Sequence, residues 1–222
     1  MKKSTIIWLI VAAILTLSGA LLFTGAMNRA NWDFSSLSTT VYDTNTHEIT
    51  NRFNAVSIKV STANVTILPS EDEICRVVCV EERKVLHNVT VNNGILKITE
   101  DDTRKWYEYL GINTLGESSI TIYLPKRQYN FFTVSGSTCD VSIDNLAINE
   151  LKCKITTGDV SLSNVNCKGN ITLQGSTGKA VISNTSLQSL TSIAGTGDIT
   201  LENVVAKEKI DISRSTGDVD FI

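Results

Sequence analysis

The chain has 222 residues, a net charge of −3, 2 prolines, 42% hydrophobic residues and 6% aromatic residues. That charge leaves no basic footprint, which argues against nucleic acid as a partner. Five cysteines cannot all pair within one chain, and the abundance of Thr, Ser, Asn and Val favours strands joined by tight turns.

Residues Ile6 to Ala26 form a run of 21 without a charged side chain. As a helix rising about 1.5 Å per residue, that run is long enough to cross a bilayer core. Lys2 and Lys3 precede it and only Arg29 follows, so charge bias places the N-terminus inside and the remainder outside. A cleaved signal peptide is the competing reading, with Ser18-Gly19-Ala20 as a small-x-small site. Cleavage there would leave Leu21-Leu22-Phe23 on the mature chain, and the run exceeds the usual signal core of about 7–15 residues. The expected organisation is a cytoplasmic N-terminus (1–5), a transmembrane signal anchor (6–26), an extracellular stalk (27–52) and one all-β domain (53–222). Trp32 and Phe34 suit an interfacial aromatic belt. Asn31 to Asn51 is polar and aperiodic, so His47 is read as part of the stalk.

The first part of the domain alternates. Val56, Ile58, Val65 and Ile67 flank Ala63, and Val89, Leu96 and Ile98 flank Gly94 in the same phase. His87 then falls at the first position of the second group. It reads as an exposed or strand-end residue, since no second histidine is near. Further strands are expected at Ile74–Val80 and Ile120–Leu124. Cys75 and Cys79 share one face of the former and read as small buried hydrophobes. Residues 101–117 break the pattern. Trp106, Tyr107, Tyr109 and Leu110 concentrate large side chains there, which suits either a cap over an open end or a partner-binding loop.

The second half repeats. Thr157-Gly158-Asp159-Val160 recurs as Thr177-Gly178-Lys179-Ala180, Thr196-Gly197-Asp198-Ile199 and Thr216-Gly217-Asp218-Val219, after a degenerate copy, Thr138-Cys139-Asp140-Val141. The steps are 19, 20, 19 and 20 residues. Apolar residues recur seven and five before the glycine position and two, four and nine after it. One column is Val141, Val160, Ala180, Ile199 and Val219; the next is Ile143, Leu162, Ile182, Leu201 and Phe221. Ser192 alone is polar, and its neighbour Ile193 suggests a bulge that shifts register. Each repeat therefore alternates in and out with the strand period. One repeat cannot bury its inward row alone, but stacked about 4.8 Å from its neighbour it shares a continuous interior. Asn145, Asn164, Asn184 and Asn203 form a further column, suited to tight turns and to amide ladders. The fold class is thus an all-β, single-domain β-solenoid of 19–20 residues per rung, behind one transmembrane helix.

Ser119 to Ile143 carries a recognisable pattern: Ile-Thr-Ile-Tyr-Leu-Pro-Lys-Arg, then Phe131-Phe132-Thr-Val-Ser-Gly, then Asp140-Val-Ser-Ile. Leu-Pro-Lys followed by rungs of Thr/Ser-Gly-Asp-Val/Ile resembles the bacterial family of cell-envelope proteins labelled "putative adhesin". The resemblance spans about residues 53–222. It implies a membrane-tethered scaffold or binding protein of the envelope. It also implies, as a second reading, a regulatory partner of an envelope-stress sensing system. The family supplies no catalytic residues.

The residues offer little chemistry of their own. No G-x-S-x-G, H-E-x-x-H, P-loop or dinucleotide fingerprint occurs, so no enzyme activity, cofactor or metal is expected. A polysaccharide-acting β-helix enzyme is the weakest reading. Asp140, Asp159, Asp198 and Asp218 follow the turn position in each rung, as turn-building carboxylates would. Expected partners are the membrane and either a cell-wall polymer or a membrane protein. The strand at Phe221-Ile222 leaves Ile212, Val219 and Phe221 at an open edge, which suits end-to-end pairing of two copies, a partial rung that tolerates its exposure, or a cap or partner protein, with pairing favoured.

Overall fold

The computed structural model describes residues 2–32, 40–106 and 117–222. Helix α1 (Lys3–Arg29) holds the charge-free run; its large apolar side chains from Ile6 to Phe23 are exposed, and Met27 is buried. Its hydroxyls are satisfied internally: Thr16 Oγ1 donates to Ala12 O at 2.9 Å and Thr24 Oγ1 to Ala20 O at 2.8 Å. The helix ends where Asn31 and Trp32 turn to positive φ. There Trp32 Nε1 donates to Asn28 Oδ1 at 3.0 Å, and its ring meets Phe23 edge-on at 6.3 Å. Phe34 lies outside the described residues.

Residues Val41–Arg104 and Glu117–Ile222 form a unit of their own, the β-solenoid. Its strands in chain order begin with β1 (Tyr42–Ile49), β2 (Ala55–Lys59), β3 (Asn64–Pro69), β4 (Cys75–Glu82), β5 (Val85–Asn92), β6 (Ile95–Asp102) and β7 (Ser119–Leu124). The repeat array follows: β8 (Gln128–Thr138), β9 (Val141–Asp144), β10 (Ala147–Thr157), β11 (Val160–Ser163), β12 (Asn166–Cys167), β13 (Asn170–Thr177), β14 (Ala180–Ser183), β15 (Ser186–Thr196), β16 (Ile199–Glu202), β17 (Val205–Thr216) and β18 (Val219–Phe221). They build two nine-stranded sheets. One runs β1-β4-β7-β3-β9-β11-β14-β16-β18. The other runs from β5 through β6, β2, β8, β10 and β13 to β15, with β12 and β17 joining at the far end.

Within the array the chain alternates between the sheets, and every pairing is parallel and in register with the sequence columns. Leu162 pairs with Ile143 on one side and Ile182 on the other, and Leu151 pairs with Phe132 and Ile171. The inward columns are filled to closure: Phe132, Ile143, Leu151, Leu162, Ile171, Ile182 and Leu190 are fully buried. Ser192 keeps the inward position and is 1% exposed, whereas Ile193 points out at 47%. The expected bulge is therefore not there; register shifts instead between Leu187 and Ser189. Ser192 is tolerated inside because Arg214, on the inner face of β17, reaches in. Its Nη2 donates to Ser192 Oγ at 3.1 Å and its Nη1 to Gly197 O at 3.2 Å. Beyond it the last strands are open, with Val219 and Phe221 exposed.

The first half differs from its reading in three ways. Leu96 and Ile98 pair with Val56 and Ile58, and Ile120 and Ile122 pair with Val65 and Ile67. So β6 and β7 are the two strands of one rung, and Gly94 is not a rung corner. Asn93 and Gly94, both at positive φ, close an antiparallel β5–β6 hairpin. Second, residues 42–49 of the expected stalk are strand β1, antiparallel to β4. Their polar sequence reflects an edge strand with one face in water; Arg83 pairs with Asp43 at 2.8 Å and Arg76 with Glu48 at 3.1 Å. Third, His87 is on the inner face of β5 and its side chain is fully buried. Counting outward from β8 and β9, β2 lies level with β3, β6 with β7, and β5 with β4. The rung made first, β2–β3, is thus sandwiched between β6–β7 and β8–β9.

Candidate functional site

Three places in the chain carry more than packing. The first is the row of corners. Gly158, Gly178, Gly197 and Gly217 all adopt φ between +126° and +142°. A Cβ on Gly178 would overlap the carbonyl oxygen of Gly158, and one on Gly197 that of Gly178. The corners thus stack more closely than any side chain allows. The aspartates link them: Asp140 Oδ1 accepts the Asp159 N–H at 2.8 Å, Asp159 Oδ1 the Lys179 N–H at 2.7 Å, and Asp198 Oδ1 the Asp218 N–H at 3.1 Å. Asn64 Oδ1 does the same for Asp140, extending the row into β3.

With one oxygen of Asp140, Asp159 and Asp198 already accepting an N–H, this row acts as a ladder of acceptors. Asp159→Ala should cost about 1 kcal/mol by chemical denaturation, and Asp159→Asn, which keeps an acceptor, only a few tenths. Millimolar Ca²⁺ should leave the melting temperature unchanged; a rise of several degrees, lost in Asp198→Asn, would make the row a metal site instead.

The opposite turns hold Asn145, Asn164, Asn184 and Asn203, with φ of 53°, 54°, 47° and 51°. This left-handed conformation is the reason for asparagine, which enters it more readily than most residues. Side-chain amide stacking is secondary. Asn203 Nδ2 donates to Asn184 Oδ1 at 2.9 Å, but Asn164 Nδ2 donates to Asp144 Oδ1 instead.

The second place is the segment that interrupts the repeat. In sequence it lies between β6, which ends at Asp102, and β7, which begins at Ser119, where the other rungs carry Thr-Gly-Asp. Its base is anchored: Thr103 N donates to Lys84 O at 2.9 Å, Arg104 Nη2 pairs with Asp102 at 2.6 Å, and Asn64 Nδ2 donates to Glu117 Oε2 at 3.1 Å. Trp106 is 77% exposed. Tyr107, Tyr109 and Leu110 lie outside the described residues.

The third place is inside the β4–β5 layer. Glu81 and His87 are buried together: Glu81 Oε2 accepts both the His87 backbone N–H at 2.6 Å and Nδ1 at 2.7 Å. Glu81 Oε1 accepts Asn45 Nδ2 at 2.6 Å. The Cys79 sulfur, a Glu81 carboxylate oxygen and a His87 ring nitrogen all lie within 4.8 Å of one another. Burial, with a smaller contribution from the Glu81 charge, pushes the Cys79 thiol up to about 12. His87 Nε2 is buried without a partner, as is Nε2 of His47 on β1. All five cysteines are buried and unpaired. Sequence reasoning missed this cluster because phase placed His87 at a rung start and polarity placed Asn45, which holds Glu81, in a stalk. The available signal was the every-second-residue spacing of Cys75, Val77, Cys79 and Glu81, a face the structure buries.

The Leu-Pro-Lys-Arg motif also has a packing role. Tyr129 donates its hydroxyl to Pro125 O at 2.9 Å. Arg127 lies over the Phe53 and Tyr129 rings at 5.2 and 5.1 Å and donates to Phe53 O at 2.6 Å.

A parallel stack of strand–corner–strand rungs with a filled interior and a non-repetitive layer at one end defines a capped β-solenoid. The chain matches the Toastrack DUF4097 family over residues 53–221 and belongs to it. Similar solved structures include a protein from Clostridium sporogenes described as a "putative cell adhesion protein". It is 13% identical with a TM-score of 0.50, over 82% of this chain and 99% of that one. Another is a "putative adhesin" from Bacteroides fragilis, 16% identical with a TM-score of 0.47, over 84% of this chain and 99% of that one. At these identities the likeness concerns the fold. No curated protein matches.

Proposed function

We propose that the chain is a membrane-tethered binding or scaffold protein of the cell envelope, with α1 as a retained anchor and the solenoid outside the membrane. The observation that carries the binding reading is the filled interior. Buried aliphatic and aromatic side chains occupy the space between the sheets from Val56 to Leu201. Recognition then falls to outer faces, edges and the segment carrying Trp106, a geometry suited to an extended partner such as a protein or wall polymer. The descriptions of the Clostridium and Bacteroides proteins agree with this reading. α1 is long and apolar enough to cross a bilayer, with Lys2 and Lys3 on its N-terminal side.

Protease added to intact protoplasts should remove the solenoid and leave a short membrane-bound stub. Solenoid released into the medium with a new N-terminus near Leu21 would replace the anchor by a signal peptide. A photo-reactive residue at position 106 on intact cells should yield a discrete adduct that one on the outer face at Ser161 does not. Equal, diffuse labelling from both positions would refute a recognition role for the segment.

A further inference from the structure

We propose that Cys79 and His87, with Glu81 orienting the imidazole, form a buried zinc site that ties the two sheets together at the capped end of the solenoid. The argument starts from an incomplete arrangement. Glu81 is fully engaged, taking Asn45 on one oxygen and the His87 backbone and Nδ1 on the other. In the neutral ring, Nδ1–H donating to the carboxylate leaves Nε2 with a bare lone pair. That atom is buried and has no partner. A buried acceptor left unmatched is costly, and native interiors rarely keep one.

The surroundings match a cation of borderline softness. Imidazole and thiolate are preferred zinc donors, and a carboxylate holding the far nitrogen of a ligating histidine is the usual supporting arrangement. Among the described residues, this is the one group of three cysteine, histidine or carboxylate side chains gathered within 4.8 Å, with Cys79 and His87 as the ligands and Glu81 as their support. The charges suit as well: one thiolate and one carboxylate balance Zn²⁺. As the zinc–sulfur bond forms, the Cys79 thiol proton leaves to solvent, so no oxidant or reductant is needed. His47, two positions from Asn45 on β1, also has a buried, unpartnered Nε2, but it is not one of this group.

Placement gives the site a purpose. Cys79 and Glu81 belong to β4 in one sheet and His87 to β5 in the other, level with it. No ladder of backbone hydrogen bonds joins these two strands; the link is the short turn after Glu82. A shared ion would clamp the sheets where the regular rungs stop, at the layer that must seal the interior.

The test uses the full chain in detergent, freed of metal by chelator, and Co²⁺ as a spectroscopic stand-in. One equivalent should give tetrahedral ligand-field bands and a thiolate-to-cobalt charge-transfer band. That band should vanish in Cys79→Ser and persist in Cys75→Ser, a buried cysteine on the same strand and face. No band in the wild type, or a band that survives Cys79→Ser, overturns the proposal. Should Cys79→Ser fail to fold by circular dichroism, X-ray absorption of the zinc-loaded wild type decides. One sulfur with nitrogen and oxygen neighbours supports the site; a shell with no sulfur, or with two or more, overturns it.

Discussion

Replacing Gly178 by alanine is expected to be among the most damaging single-methyl changes in the protein. Gly178 has φ +142°, a region essentially closed to residues with a Cβ, and the added carbon would overlap the Gly158 carbonyl oxygen. Two costs therefore add. The backbone strain alone is about 1–3 kcal/mol. Relieving the overlap must also push one corner off the next and loosen the Lys179 N–H bond to Asp159. A total near 4 kcal/mol lowers the melting temperature by roughly 10 °C for a domain of this size. Gly94→Ala separates the two contributions. Gly94 also has positive φ, but the nearest atom to its added Cβ is Asn54 Oδ1 at 3.6 Å, an ordinary contact. That variant should lose about 1–2 kcal/mol, the cost of the left-handed backbone only. Equal losses in the two variants would mean that corner stacking contributes nothing.

Leu162→Asp should be at least as severe, for a different reason. Leu162 is fully buried between Ile143 and Ile182, with apolar neighbours along both the strand and the stack. A carboxylate there has no donor to meet, and an unpaired buried charge costs about 3–5 kcal/mol or forces the group to take up a proton. With total stability typically about 5–15 kcal/mol, the variant should be largely unfolded or detectably less cooperative in urea. Ser161→Asp, one residue earlier on the outer face, should lie within about 0.5 kcal/mol of the wild type. Similar midpoints for the two variants would contradict the inward and outward assignment of β11.

The array was legible because stacking imposes the same demand on every rung. Leu162, Ile182 and Leu201 occupy equivalent positions, so each copy reports on the others. The corners were legible for the same reason, although asparagine's left-handed backbone was the stronger signal than its amide. The capped end offered no such redundancy. Leu96 and Ile98 alternate as well as any rung strand, but alternation does not say which column a strand joins; the antiparallel hairpin at Asn93-Gly94 decided it. β1 was unreadable because its hydrogen bonds to β4 are made by the backbone, which leaves the side-chain sequence free to be polar. His87 was misplaced by that same error of phase. Ser192 shows the limit in the array itself. Its burial depends on Arg214, one rung away in space and 22 residues away in sequence.

The position of β2–β3 between rungs formed much later in the chain bears on the order in which the molecule assembles. Along the array, contacts close loops of 19 or 20 residues, as in the Asp140–Asp159 and Asp159–Lys179 bonds. The equivalent bond from Asp140 back to Asn64 spans 76 residues. Closing the longer loop costs about 1 kcal/mol more in chain entropy, before the intervening rung is counted. Local closures of this kind set the faster steps of folding. The array can therefore propagate rung by rung as a one-dimensional process, while β2–β3 must wait for strands on both sides. The end of the chain that emerges first from synthesis is the part of the solenoid completed last.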